Sequence, residues 1–385
     1  MSTIKIINAT VYRGGELKRG ESITIKDGVI CNEYDVKSPD EIYDAAGNIA
    51  CAGYIDPHTH GGLGKDCMEP TVEALDTISK YHLSKGVTSF CPTTMTADIA
   101  DIEKALDNIR AYRSSRSRIA GVHLEGPFLS AGSAGAHPLD KLLNPDKDNT
   151  AFIDRYCDTV SRITVAPNLS GAPYLAEKCK KLGIQVSLGH DNAIDDEIYA
   201  AIDAGASSVT HMYNCTSRPS RRTTPKKHLG LTEVGLTDER LMCEVIADGR
   251  HVPDKLFDMI YRLKGADGIC LVSDSLSVAG MGEGDYYLGS GESRQQIRIE
   301  DGVAVLPAAN TYAGSVTAVS EMVIRLKQLG YKIEDCLKMA TVNPAKLAGV
   351  CDRGDICDGM IADINILDGD LRVIDTFLGG IKVSR

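Results

Sequence analysis

Residues 50–62 read ACAGYIDPHTHGG, an apolar run that ends in two histidines one residue apart and then two glycines. Along a strand, side chains i and i+2 face the same side, so His58 and His60 can aim at one point. Seven more short apolar runs follow: VTSFCPTT, IAGVHLEG, RITVAPN, IQVSLGH, SSVTHMYN, MCEVIADG and ICLVSDS. Between most of them lie helical stretches. TVEALDTISKYHLSKG puts Val72, Leu75, Ile78, His82 and Leu83 on one stripe, with Gly86 as a stop. DIADIEKALDNIRAYR puts Ile99, Ile102, Leu106 and Ile109 on one face, and AVSEMVIRLKQLG serves as the last large helix. Eight β runs with interposed helices predict an α/β chain built as a (β/α)8 TIM-like barrel. A doubly wound open sheet is the alternative, but no G-x-G-x-x-G follows a first strand to favour it.

The two ends have a different texture. IKIINATVY and ESITIKDGVI near the start, and ADINILD and LRVIDTFLGGIKV near the end, alternate in short bursts broken by Gly and Asp. They predict antiparallel strands. The expected division is a small β-sandwich domain from residues 1–52 and 346–385, flanking a barrel over 53–345.

Composition narrows the function classes. The chain has 385 residues, 43% of them hydrophobic and 25% charged, with a net charge of −11. That charge and the absence of a Lys/Arg stripe argue against a nucleic-acid partner. A small anion, needing only a local cationic pocket, is still allowed. The twelve cysteines show no CxxC pair, and several, such as Cys51, Cys243 and Cys270, stand inside apolar runs as small hydrophobes. The N-terminus lacks the pattern of a signal peptide and the apolar runs fall short of a membrane span. A reducing cytoplasm and no membrane partner are the expectation.

In a barrel of this kind, catalytic groups come from the C-terminal ends of several strands. Run one ends in His58 and His60, run three in Glu125, run five in His190, run six in His211 and run eight in Asp274. Imidazole and carboxylate suit a divalent metal: Zn²⁺ first, with Fe²⁺, Mn²⁺ or Ni²⁺ as alternatives. A metal held by three protein groups keeps a position for water and lowers its pKa towards ~7. Asp274 would act as general base to that water and then as acid to the leaving group. His82, on the helical stripe, and His123, two residues before Glu125, are expected to support packing rather than to ligate.

GYIDPHTHGG, VHLEGPFLS, SLGH, VTHMYN, ADGRHV and VSDSL, in this order, resemble the N-acetylglucosamine-6-phosphate deacetylases of the amidohydrolase superfamily. The likeness extends to the closing NPAKLAGV and RGDICDGMIADINILD segments. It implies that Glu125, His190 and His211 hold a principal metal. His58 and His60 would help form a second site, so that one or two metals bind per subunit with Glu125 as the bridge. Relatives that bridge with a carbamylated strand-four lysine are disfavoured, because RITVAPN has no lysine.

The resemblance also implies a small amino-sugar phosphate as substrate. His137 and His251 would contact the sugar or its carbonyl oxygen, with Gly126 beside them. Asn214 and Cys215 would offer backbone N–H groups to the phosphate. Arg222 would reach the phosphate of a neighbouring subunit across a homodimer. In this region the chain departs from the family pattern: Arg218, Arg221, Arg222, Lys226, Lys227 and His228 crowd into eleven residues. That segment reads either as an enriched anion site or as a solvated loop at a subunit interface. The implied reaction is removal of an acetyl group from N-acetylglucosamine-6-phosphate. The alternatives are another N-acetyl hexosamine phosphate, another N-acyl substrate, or a non-catalytic binding homologue.

Overall fold

The computed structural model describes residues 2–220, 225–289, 295–307 and 311–383. Eight parallel strands form the centre: Tyr54–Thr59, Val87–Thr94, Val122–Glu125, Val160–Val165, Gln185–Leu188, Ala206–Val209, Met242–Val245 and Ile269–Leu271. Each pairs with the next in chain order. The circle closes just past the eighth strand, where Asp274 N–H donates to His58 O (2.9 Å) and His60 N–H to Ser275 O (2.8 Å). The molecule is thus a (β/α)8 barrel, and its seam lies at the histidine pair that ends the first strand.

Strands covered on both faces carry continuous apolar runs. Val87–Thr94 is buried at every position. The helices lie outside with one apolar stripe turned inward. Val72–Ser84 buries Leu75, Ile78, His82 and Leu83 after a Thr71 cap whose hydroxyl accepts from Ala74 N–H. Val72, expected on the same stripe, is 59% exposed, because it is the first helical residue and precedes the turn that meets the sheet. Ile99–Ala111 buries Ile102, Leu106 and Ile109. Two shorter helices, Ile333–Ala340 and Val342–Ala348, follow Val319–Gln328. The last of these spans the expected boundary at 345/346, and its Asn343 side chain donates to Ala266 O and Ile269 O of the barrel (2.7 and 2.6 Å).

Both chain ends meet in one eight-stranded sheet, in which Ile49–Ala52 pairs antiparallel with Ile364–Leu367. Its own core holds Ile4, Ile6, Val11, Ile23, Ile25, Ile364, Ile366 and Phe377. The sheet is mixed rather than antiparallel throughout. Thr3–Arg13 runs parallel to Glu41–Asp44 and Ile49–Ala52, because the intervening chain returns it to the same edge in the same direction. It sits at the N-terminal end of the barrel: Gly53 N–H donates to Asp363 O (2.8 Å) and Asn365 Nδ2 to Gly86 O (2.7 Å).

A four-stranded antiparallel sheet, absent from the sequence reading, is inserted between the eighth strand and helix Val319–Gln328. Its strands are Gly284–Leu288, Gln295–Glu300, Val303–Leu306 and Thr311–Tyr312. Ile297, Ile299, Ala304 and Leu306 pack with Leu276 and Val278. The hairpin turns on Asp301 and Gly302, both at positive φ (50° and 74°), the conformation an Asp-Gly pair favours in a two-residue turn.

Candidate metal centre and active site

The barrel delivers its polar residues to one rim. His58 lies within the first strand and His60 one residue past its end, and both are buried on the same side. Glu125 ends the third strand. His190, His211 and Asp274 lie two or three residues beyond strands five, six and eight, all with left-handed backbone (φ 48°, 28° and 47°). Non-glycine residues rarely adopt this region, and such strain concentrates where side chains must be aimed at a site.

Glu125 is the centre of the arrangement. Its Oε1 faces His190 Nε2 (3.3 Å) and His211 Nε2 (3.1 Å). Its Oε2 faces His60 Nε2 (3.0 Å) and His58 Nε2 (3.4 Å). Asp274 Oδ1 stands 3.3 Å from both His58 Nε2 and His60 Nε2. Two overlapping ligand groups result, His58–His60–Glu125–Asp274 and Glu125–His190–His211, and one carboxylate belongs to both.

The proton positions test whether a cation fits. His190 Nδ1 lies 2.9 Å from Ser133 O and His211 Nδ1 3.1 Å from Asn214 O. A carbonyl only accepts, so both Nδ1 atoms carry hydrogen and both Nε2 lone pairs face inward, 2.9 Å apart. His58 Nδ1 is similarly committed to Glu244 Oε2 (2.9 Å), and its buried Nε2 has no hydrogen-bond partner among the described residues. Lone pairs and carboxylate oxygens therefore converge at one buried point, which demands positive charge. Burial disfavours charge on His60, yet Asp274 and Glu125 raise it to about 9. Burial likewise raises Asp274, but His58 and His60 outweigh it and hold the carboxyl down at about 2. The donor set fits a divalent cation on each side of Glu125.

His137 has the opposite tautomer. Thr96 N–H donates to its Nδ1 (3.2 Å), so the hydrogen of the neutral ring sits on Nε2, 3.6 Å from Glu125 Oε2. Burial lowers its pKa to about 4. It is therefore a neutral donor beside the ligands rather than a fifth lone pair. Gly126 opens the loop after Glu125 at φ 84°, and a methyl group there would lie 2.1 Å from Thr96 Oγ1. His251 Nδ1 pairs with Asp248 Oδ2 (2.7 Å), leaving a buried Nε2 with no partner among the described residues. Its ring packs 4.9 Å from Tyr312 of the inserted sheet.

Asn214 and Cys215 form the turn after strand six. The Asn214 N–H already donates to His211 O (2.9 Å), so of this expected pair only the Cys215 N–H is left to meet an anion in this conformation. Arg221 and Arg222 lie outside the described residues. His82 Nε2 bonds Thr59 Oγ1 (3.1 Å) and its ring stacks on Phe90. His123 Nε2 bonds Thr164 Oγ1 (2.7 Å), and its ring stands edge-on to His58. Burial keeps both rings neutral: His82 falls to about 3, and His123 also lies below the usual range.

Three residues that organise the site escaped the sequence reading: Thr96, Glu244 and Arg162. Glu244 and Arg162 are fully buried and paired with each other. Their signal was a charge in the middle of an apolar strand, in MCEV and RITV.

Comparison with known proteins places the chain in a family. The amidohydrolase family model matches residues 49–383. The chain is 32% identical to the N-acetylglucosamine-6-phosphate deacetylase of Caenorhabditis elegans, covering 99% of this chain and 94% of the relative. It is 31% identical to the N-acetylgalactosamine-6-phosphate deacetylase of Escherichia coli O157:H7, covering 93% of each. The crystal structure of N-acetylglucosamine-6-phosphate deacetylase from Pasteurella multocida superposes with a TM-score of 0.89 at 26% identity, covering 100% of both chains. This chain belongs to the amidohydrolase family.

Proposed function

We propose that this chain is a metal-dependent hydrolase that removes the acetyl group from N-acetylglucosamine-6-phosphate, giving glucosamine-6-phosphate and acetate. The observation that carries the reading is Glu125, whose two oxygens each face one pair of inward histidines, with Asp274 and a donor histidine at the same rim. Glu125, His190 and His211 would hold one divalent ion, with Zn²⁺ the first candidate, and His58 and His60 with Glu125 a second. When bound, such an ion supplies a nucleophilic water at neutral pH and polarises the acyl carbonyl.

The chain's own residues do the rest. Asp274, ionised and the least buried member of the cluster (8% exposed), accepts a proton from the attacking water and returns it to the departing amine nitrogen. The His137 Nε2–H donates to the oxygen on which negative charge develops. The unpartnered His251 Nε2 meets a sugar hydroxyl or the carbonyl, and Cys215 N–H, with Arg222 from a second subunit of a homodimer, meets the phosphate. An arginine fork suits that anion through paired charge-assisted bonds.

A second reading, the galacto epimer as substrate, is supported by the similarity to a deacetylase named for it. A reducing compartment such as the cytoplasm is consistent with twelve unpaired cysteines, seven of them buried. Among the described residues no helix is long and apolar enough to cross a membrane.

Acetate release from N-acetylglucosamine-6-phosphate, its galacto epimer and unphosphorylated N-acetylglucosamine tests the reading side by side. The first should turn over fastest and the neutral sugar far more slowly. Equal rates with and without phosphate, or no acetate from any of the three by metal-loaded protein, would refute it.

A further inference from the structure

The imidazoles that face Glu125 are not backed alike. His190 and His211 give their Nδ1–H to neutral carbonyls, those of Ser133 and Asn214. His60 Nδ1 has no hydrogen-bond partner among the described residues. His58 alone gives its Nδ1–H to a carboxylate, Glu244 Oε2, at 2.9 Å.

That carboxylate is itself held. Its other oxygen pairs with an Arg162 guanidinium nitrogen, and Arg162 Nη1 donates to Pro57 O (2.9 Å), the carbonyl directly before His58. Glu244 comes from the seventh strand and Arg162 from the fourth, so the pair crosses the barrel interior beneath the site. Both are fully buried. Burying such a pair is a poor route to stability, since well-packed apolar residues of similar size serve as well or better. A carboxylate behind a ligating imidazole, by contrast, fixes the ring's tautomer and orientation and raises its basicity.

We propose that Glu244, anchored by Arg162, is a positioning residue that gives the His58–His60 half of the centre its affinity for a divalent cation. The His190–His211 half takes its Nδ1 backing from neutral carbonyls instead, and the Glu244 side chain meets it only through a long bond from the His211 backbone N–H (3.5 Å), which a glutamine oxygen would still accept. The inference rests on the metal centre proposed above.

The test is titration of chelator-treated protein with Zn²⁺, read by calorimetry and by metal content per chain. The variants compared with wild type are Glu244→Gln, His190→Asn and the double variant Arg162→Met/Glu244→Gln. Wild type should take up two ions. Glu244→Gln should weaken one of them by about 10–100-fold and leave the other within about twofold, while His190→Asn should strike the other one.

The double variant separates positioning from structure. It removes both buried charges and so leaves no unpaired ion, and it carries the test if the single variant does not fold. A purely structural pair would let it bind both ions as wild type does; positioning by Glu244 keeps the deficit. Two-ion binding at wild-type strength in either variant overturns the inference and leaves the metal centre standing. A single ion in wild type, lost in His190→Asn and untouched by Glu244→Gln, also overturns it. No ion in wild type would instead overturn the metal centre itself, and this inference with it.

Discussion

The two ends of the barrel are built on opposite physical terms. At the N-terminal end, the small sheet closes against the strands with Gly53 N–H to Asp363 O, Asn365 Nδ2 to Gly86 O and an ion pair, Arg118 to Asp363, over an apolar core around Ile366 and Phe377. At the C-terminal rim, six buried or nearly buried titratable side chains converge, three of them on left-handed backbone. One end is arranged for stability. The other gathers buried charge that a cation would balance, which is how functional sites depart from the rules that the rest of a fold obeys.

Substitutions at the two ends should therefore separate activity from stability. The largest effect is expected for Asp274→Asn: kcat should fall by about 10⁴-fold, the upper range for loss of a general acid–base group, with metal content unchanged. Steady-state acetate release and metal analysis check it, and retained turnover would remove Asp274 from the role. At the other end, Phe377→Ala should destabilise the fold by about 3–5 kcal/mol in denaturant titration, with kcat of the folded fraction near wild type. A matching loss of kcat would mean the two ends are coupled.

Between these lies Gly126→Ala. Left-handed backbone costs a residue with a Cβ roughly 1–2 kcal/mol, and the methyl would displace Thr96, which sets the His137 tautomer. A lowered Tm together with about 10²-fold lower kcat is expected, on the scale of losing an oxyanion donor. An unchanged kcat would separate Thr96 from His137 function. The smallest effect is expected for Val72→Ala on the exposed first turn of its helix: within about 0.5 kcal/mol and with no change in kcat. A larger loss of stability there would show that this face is covered in solution.

The rim was more legible in the sequence than the supports beneath it, for a physical reason. His58, His60, Glu125, His190, His211 and Asp274 each follow an apolar run, so chemistry at a strand end stands out against its neighbours. Glu244 and Arg162 sit inside such runs, where the pattern reports only burial. Nothing local pairs a residue of the seventh strand with one of the fourth. The inserted sheet was missed although Asp301–Gly302 marks its hairpin, because its half-exposed, alternating flank QQIRIE lacks the continuous apolar run that marks the barrel strands. Val72 was misplaced because helical periodicity does not show where a helix first meets the sheet. The mixed pairing of the terminal sheet depends on how the 32–48 segment returns, which alternation does not encode.

The central claim is that the Glu125 cluster works as a metal centre for deacetylation. Its most direct test is acetate release from N-acetylglucosamine-6-phosphate by chelator-treated protein as Zn²⁺ is added back. The rate should be near zero without metal and rise to a plateau by the time one or two ions are bound per chain. Full activity in metal-free protein would contradict it.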